Sequence, residues 1–223
     1  MTKTMIILTK SRKLGKSCVA GIDYNTSKWI RLINNHYEGG GLADCDLLTA
    51  DGTMCGILDV VEVECTNAPV STNYHPENVH IDETVPMKKI GHVTWDEVAS
   101  RNLEIIRDNT ILHCERGYSY CNVTDLYDRN RPRSLQFLHV HDLTLARSVE
   151  FGKIKTRAYF TYRGASYGMV VTDPEFERGE IGTYNYGESY LIVSRGLPWQ
   201  GAHYSLVAKV APFHDNENDL RAA

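Results

Sequence analysis

Residues 155–163 read Lys-Thr-Arg-Ala-Tyr-Phe-Thr-Tyr-Arg, and the alternation of these residues indicates the fold class. Arg157, Tyr159 and Arg163 share one parity, whereas Phe160 has the other. Because successive side chains of a β-strand point to opposite faces, this stretch predicts a strand with one basic, aromatic face and one apolar face.

Strand signals of this kind recur along the chain, separated by turn residues. In the first half they cover residues 4–9, 18–24, 28–33 and 57–65. In the second half they cover residues 134–141, 143–150, 155–162, 166–172, 189–194 and 203–210. Two sets of about five short strands predict a mainly β protein with two OB-like small antiparallel β-barrels. A single large β-sandwich would produce a similar pattern.

One helix is predicted between the two sets of strands. Thr94-Trp95-Asp96-Glu97 is a capping box, in which the Thr94 hydroxyl accepts a hydrogen bond from the Glu97 amide and the Glu97 carboxylate reaches back. The apolar residues that follow predict one inserted helix over residues 94–107.

These signals divide the chain into two domains and a tail. We expect residues 1–130 to form the first OB-like barrel with the helical insertion, residues 131–213 to form the second, and residues 214–223 to be a frayed tail. The weak periodicity of residues 67–91 predicts a long loop, and residues 117–133 are expected to be irregular.

The composition excludes several classes of protein. The 223 residues are 42% hydrophobic, which is enough to bury a substantial core. No apolar run approaches the roughly 20 residues of a membrane helix, so no membrane partner is expected. The six cysteines show no framework spacing and no CxxC, which predicts reduced thiols and a cytoplasmic location.

The net charge of −4 hides two basic blocks. Residues 3–31 contain seven Lys or Arg against one acid, and residues 129–163 contain eight against two. Between them, residues 38–125 contain sixteen Asp or Glu and five Lys or Arg. Both basic blocks are strand-like and carry aromatic residues, the combination that a polyanion-binding surface needs. Solvated strand faces would explain the same pattern without a ligand.

Eight residues of the basic blocks are predicted to bind nucleic acid: Arg12, Lys13, Lys16, Trp29, Arg31, Arg157, Tyr159 and Arg163. The first three would bind phosphate from a basic turn, the two aromatic residues would stack on bases, and the others would supply further cations. Gly15-Lys16-Ser17 is not a P-loop, because Lys10 stands where the motif requires glycine and a strand pattern follows instead of a helix.

No catalytic residue, metal ligand or cofactor is predicted. His139 and His141 would face one side of a strand, a spacing that can hold Zn²⁺, but no third ligand lies near them in the sequence. No motif of nucleophilic catalysis is present. Two pairs of carboxylates could suit a divalent cation, although a solvated face is the default explanation in an acidic strand: Asp44 with Asp46, and Glu62 with Glu64.

Several short sequences resemble those of a prokaryotic family of dual OB-domain proteins. They are residues 11–21, Trp29-Ile30-Arg31, residues 155–162, Thr172-Asp173-Pro174 with Phe176, residues 190–194 and residues 204–208. The resemblance spans nearly the whole chain, with Leu32 where the family pattern has proline and Arg195 where it has leucine. It implies two OB folds, a nucleic-acid or nucleotide ligand, and a role in prokaryotic genome defence beside a protein partner. It implies no catalytic residues.

We therefore interpret the chain as a non-enzymatic module that recognises nucleic acid or a nucleotide. Two alternatives come from other classes. One is a nucleotide- or nucleic-acid-processing hydrolase that uses His139, His141 or the acidic strands. The other is a protein-interaction adaptor whose acidic middle segment binds a basic partner.

Overall fold

The protein is mainly β, as its sequence predicts, and consists of two compact units, Met1–Ile105 and Ile106–Ala223. Each unit contains one six-stranded sheet. Within the described residues, no helix combines the length and apolar character needed to cross a membrane. The computed structural model describes residues 1–69, 74–101, 110–123 and 133–213.

The first unit has the strand order of an OB fold. Its strands are β1 (Thr2–Lys13), β2 (Lys16–Asp23), β3 (Trp29–Ile33), β4 (Asp59–Glu64), β5 (Asn78–His80) and β6 (Lys88–His92). They pair in the order β5-β3-β2-β1-β4-β6, with β3 and β5 parallel and the other pairs antiparallel. An isolated bridge between Cys65 and Ile81 joins the ends of β4 and β5, so the sheet curls back on itself.

A close approach between β1 and β2 forms part of this curl. Gly21 lies opposite Ile7 in the register, and a Cβ atom added to Gly21 would stand 1.8 Å from the carbonyl oxygen of Ile6. The inward side chains of β1 and β4, among them Met5 and Val61, form the core of this unit. Only glycine allows the two backbones to approach this closely at position 21.

The second unit repeats the topology with longer strands. Its strands are β7 (Tyr120–Asn122), β8 (Leu135–Glu150), β9 (Lys153–Tyr162), β10 (Ala165–Val170), β11 (Gly182–Trp199) and β12 (Ala202–Pro212). They pair in the order β10-β9-β8-β11-β12-β7. A parallel bridge between Val171 and Val207 connects the end of β10 to β12 and closes the curl around an apolar core.

A buried carboxylate reinforces this closure. Asp173, just beyond β10, is 2% exposed and accepts a hydrogen bond of 3.0 Å from the Val210 amide on β12. Its Oδ2 also lies 3.1 Å from the Lys209 ammonium. Burial raises the pKa of Asp173, and the Lys209 charge opposes that rise. The pair therefore ties β10 to β12 from inside the barrel.

The predicted capping box is confirmed. The Thr94 hydroxyl accepts from the Glu97 amide at 3.2 Å, and the Thr94 amide donates to the Glu97 carboxylate at 2.6 Å. The helix that they begin, α1, spans Trp95–Ala99. The part of the predicted helix over residues 102–107 lies outside the described residues.

Two predictions of irregular structure were wrong. The stretch 67–91 was predicted as a long loop, but it contains β5 and most of β6. The stretch 117–133 contains β7, which pairs with β12 at the edge of the second sheet. All of these are short or edge strands, which carry little periodicity of their own because their neighbours impose the extended conformation.

The predicted domain division stays a prediction. The compact units meet between Ile105 and Ile106, and β7 belongs to the second sheet. The predicted boundary at residue 130 and the tail of residues 214–223 both lie outside the described residues.

Gly21→Ala should destabilise the first unit by about 3 kcal/mol, the upper end of the usual range for overpacking, since the new Cβ overlaps a backbone oxygen that side-chain motion cannot move. Hydrogen exchange measured by mass spectrometry should show the loss of protection in β1, β2 and β3. Gly91→Ala is the matched control, because a Cβ there would lie 3.7 Å from Val60, an ordinary contact. Equal protection in both variants would contradict the close approach.

Asp173→Ala should destabilise the second unit by about 3–5 kcal/mol, since it leaves the buried Lys209 ammonium without its buried partner. Urea unfolding of the full chain measures the change. Glu175→Ala is the control, because the Glu175 carboxylate lies 2.8 Å from the same ammonium but is 51% exposed. Its loss should cost less than about 1 kcal/mol. Equal costs would show that Asp173 does not hold the barrel closed.

Candidate nucleic-acid interface

The turn between β1 and β2 presents the cations of the first basic block. Leu14 and Gly15 form the turn with positive φ angles of 47° and 76°. Arg12 is exposed, while Lys13 and Lys16 are half-buried beside the turn. The Lys16 ammonium lies 4.5 Å above the centre of the Tyr37 ring, a cation–π contact that orients it.

Lys13 has an environment that favours binding of an anion. Burial lowers the pKa of its ammonium; the coulombic effect of Cys18 opposes this shift, and the charge of Arg31 adds to it. Burial disfavours the charged form of the ammonium, and an anion close to it favours that form. The β1–β2 turn thus carries three cations, Arg12, Lys13 and Lys16, of which Lys13 has a lowered pKa.

Trp29 and Arg31 differ in accessibility although they share the parity of one strand. Trp29 is half-buried, whereas Arg31 is 1% exposed. Arg31 pairs in register with Ala20, which is fully buried, as is the neighbouring Ile22. Arg31 is thus buried, while Trp29 on the same strand face keeps part of its surface exposed. The roles of both residues in binding stay predictions.

Strand β9 places its predicted residues in three different environments. Arg157 makes a bidentate ion pair with Glu150 at 2.6 and 2.9 Å, and the hydrogen bonds from Arg157 lower the pKa of that carboxyl. Tyr159 is 46% exposed. Arg163 is exposed at the β9–β10 turn, where its guanidinium lies 5.5 Å from the centre of the Tyr162 ring. The charge of Arg157 is thus neutralised within the protein, while Tyr159 and Arg163 face solvent.

Four exposed aromatic rings form a continuous row along one edge of the second sheet. Successive ring centres lie 5.6, 5.9 and 5.9 Å apart in the order Tyr118, Tyr120, Tyr204 and Trp199. Their side chains are between 37% and 61% exposed. Tyr120 and Tyr204 are a directly opposed pair on β7 and β12. We call these four residues the aromatic row.

Two arginines lie near the segment that carries Tyr118, the first ring of the aromatic row. Arg116, two residues before Tyr118, donates a hydrogen bond of 3.0 Å to the carbonyl of Arg163. Both arginines are exposed. The contact brings two cations together at the β9–β10 turn, and of these only Arg163 was predicted as a binding residue.

Part of the aromatic row could have been predicted from the sequence. Tyr118 and Tyr120 have the spacing of one strand face, but their segment was interpreted as irregular. Trp199 and Tyr204 flank the turn Gln200-Gly201 between β11 and β12. Only the pairing of β7 with β12 brings the two pairs together.

The acidic strand of the first unit lines a different feature, an open cavity of about 690 Å³. Its walls include Glu62 and Glu64, the pair considered for a divalent cation. Glu62 pairs with Lys88 at 3.0 Å, and Glu64 lies 3.5 Å from the N-terminal ammonium. Both carboxylates are thus already compensated by cations of the protein.

Some solved structures resemble this chain weakly along most of its length. One is described as a murine DNA-binding protein bound with double-stranded DNA, with 7% identity and a TM-score of 0.32 over 95% of this chain and 99% of that one. Another is the tetrameric p202 HIN2, with 9% identity and a TM-score of 0.30 over 94% and 92%. Likeness at this level carries no argument about the ligand.

The comparison with curated proteins finds no match to this chain. A family model described as the dual OB-containing domain matches residues 3–210. That match includes all twelve strands except the first residue of β1 and the last two residues of β12. Together with the two curled sheets, it shows that the chain belongs to the dual OB-containing domain family.

Proposed function

We propose that this protein recognises nucleic acid by stacking unpaired bases on the aromatic row of its second unit. The row itself carries the proposal. Large aromatic side chains are normally covered in a folded protein, and a contiguous exposed set marks a surface that contacts another molecule. Rings of Tyr and Trp stack on bases of any sequence, since every base has a π-face.

The position of the row fits the way in which OB folds bind oligonucleotides. Ligands of this fold contact the face of its second and third strands and the loops that join strands 1–2 and 4–5. In the second unit the turn between the fourth and fifth barrel strands is Gln200-Gly201, directly after Trp199. Tyr159 and Arg163 lie on β9 and at its end, the second barrel strand.

Cations for the phosphates accompany the rings. Arg116 and Arg163 lie together beside the segment that carries Tyr118. In the first unit, Arg12, Lys13 and Lys16 surround the turn between the first two barrel strands, the other loop that OB folds use. Positive charge fixes the backbone of the ligand, while the rings hold its bases.

The number of rings favours a polynucleotide over a free nucleotide. A mononucleotide has one base and would occupy one or two of the four rings. A single strand can place successive bases along the row, and each stacked base contributes about 1–3 kcal/mol. We therefore place the ligand in the class of single-stranded nucleic acid.

The proposed setting is the prokaryotic cytoplasm, in genome defence beside a protein partner. The six cysteines are all free thiols in the structure, which fits a reducing compartment. The role in defence rests on the family resemblance of the sequence.

Replacing Tyr204 or Trp199 by leucine should weaken binding of a single-stranded oligonucleotide by about 1–3 kcal/mol each, since leucine keeps apolar bulk but cannot stack. Fluorescence anisotropy with labelled DNA and RNA 12-mers measures the affinity. Tyr24→Leu is the matched control, because this ring is 40% exposed in the first unit directly after β2, outside the row and outside the two loops named above. If the control loses as much affinity as the row variants, the row is not the binding surface.

Salt should weaken the same binding. Four or five phosphate contacts would give a log–log slope of about −3, at about −0.7 per contact for a single strand. Arg163→Ala should make the slope shallower by somewhat less than one unit, whereas Arg178→Ala, an exposed arginine outside the proposed interface, should leave it unchanged. A flat response in the unmodified protein would rule out phosphate recognition.

A further inference from the structure

A second surface of the same unit gathers three side chains that bind metals. His139 and His141 lie on β8, and Glu188 lies on the neighbouring strand β11. The ligand atoms of the three all lie within 4.8 Å of one another. Among the residues that the structure describes, this is the only group of three or more His, Cys, Asp or Glu so arranged.

The distances suit one ion between the three side chains. The Glu188 Oε1 atom lies 2.8 Å from His139 Nε2 and 3.4 Å from His141 Nδ1. Bonds of about 2.0–2.1 Å to a tetrahedral zinc ion place two ligand atoms about 3.3 Å apart. The two distances to Glu188 therefore need a change of about half an ångström at His139 and almost none at His141, while the ligand atoms of the two histidines already lie within 4.8 Å of each other.

An irregularity in the strand pairing places Glu188 opposite the two histidines. In the register between β11 and β8, Gly187 pairs with Leu143 and Ser189 pairs with Val140. Two residues of β8, His141 and Asp142, thus face the single residue Glu188. A bulge of this kind redirects side chains, and such bulges are common beside functional sites.

Aromatic packing holds the His139 ring in position. The ring stacks on Phe213 with centres 5.2 Å apart and an angle of 5° between the planes. Tyr190 lies 5.3 Å away on the neighbouring strand. A ligand whose orientation is fixed by its neighbours binds a metal with less loss of conformational freedom.

We propose that His139, His141 and Glu188 form a binding site for a divalent transition metal ion of the zinc class. Two imidazole nitrogens and one carboxylate oxygen are ligands that zinc prefers, and three protein ligands leave a fourth position open to water or to another ligand. The expectation of no metal site rested on the lack of a third ligand nearby in the sequence. Glu188, 49 residues from His139, supplies that ligand.

A histidine–carboxylate pair alone would not support this proposal, and the first unit provides the comparison. His36 Nε2 lies 2.6 Å from Glu83 Oε1 on the surface of that unit. No third His, Cys, Asp or Glu of the described residues joins this pair. Only the site on β8 and β11 has the number of ligands that gives a zinc ion its usual coordination.

The site can be tested with the metal alone. Full-length protein, stripped with chelator and dialysed, is titrated with Zn²⁺ by calorimetry and with Co²⁺ by visible absorption. We expect one ion per chain and a Co²⁺ spectrum without thiolate charge-transfer bands, since the site contains no cysteine. Glu188→Gln should raise the dissociation constant at least tenfold, and His139→Ala with His141→Ala should remove the site.

His36→Ala is the matched control and should leave both titrations unchanged, because it removes a surface histidine that already faces a carboxylate. Circular dichroism and the melting curve of each variant without metal show whether it is folded. Equal stoichiometry and affinity in the unmodified protein and in the folded double variant would overturn the proposal. So would a Co²⁺ spectrum dominated by thiolate bands.

Discussion

The Asp173 carboxylate links the end of β10 to β12 and so helps to close the second barrel. The candidate surfaces of the second unit depend on this closure. The carboxylate accepts from the Val210 amide and pairs with Lys209, so β12 is held against the end of β10 from inside the core. An ion pair buried to this degree costs desolvation energy and contributes mainly by fixing one arrangement. Here the fixed arrangement is the position of β12, which carries Tyr204 and pairs with β7.

The closed sheet of each unit has an inner face and an outer face, and the two faces carry different kinds of residue. The inner face is filled by an apolar core, so the proposed interface lies on the outer face and the turns. In the second unit the outer face carries the aromatic row and, on β8 and β11, the histidines with Glu188. In the first unit the corresponding face of β2 and β3 buries Arg31 beside Ala20 and Ile22, which strand parity alone does not reveal.

The fold was largely predictable because its signals are local. Alternating side chains located most of the strands, and four residues located the start of α1. The short strands β5, β6 and β7 were missed, since their extended conformation comes from the strands beside them. The sites were less predictable for the same reason. Tyr120 meets Tyr204, and His139 meets Glu188, only through strand pairing across long stretches of sequence.

Counting charges along the sequence also does not reveal which cations have partners within the protein. The second basic block loses Arg157 to Glu150, and Arg147 to hydrogen bonds with the Gly179 carbonyl and the Thr156 hydroxyl. Arg116, by contrast, lies in the acidic middle of the sequence and yet is exposed beside Arg163. A charge in the sequence thus indicates a binding group only when the structure shows that no internal carboxylate neutralises it, as Glu150 neutralises Arg157. The aromatic row supports the proposed interface independently of the charge count, because contiguous exposed aromatic side chains are typical of surfaces that contact another molecule.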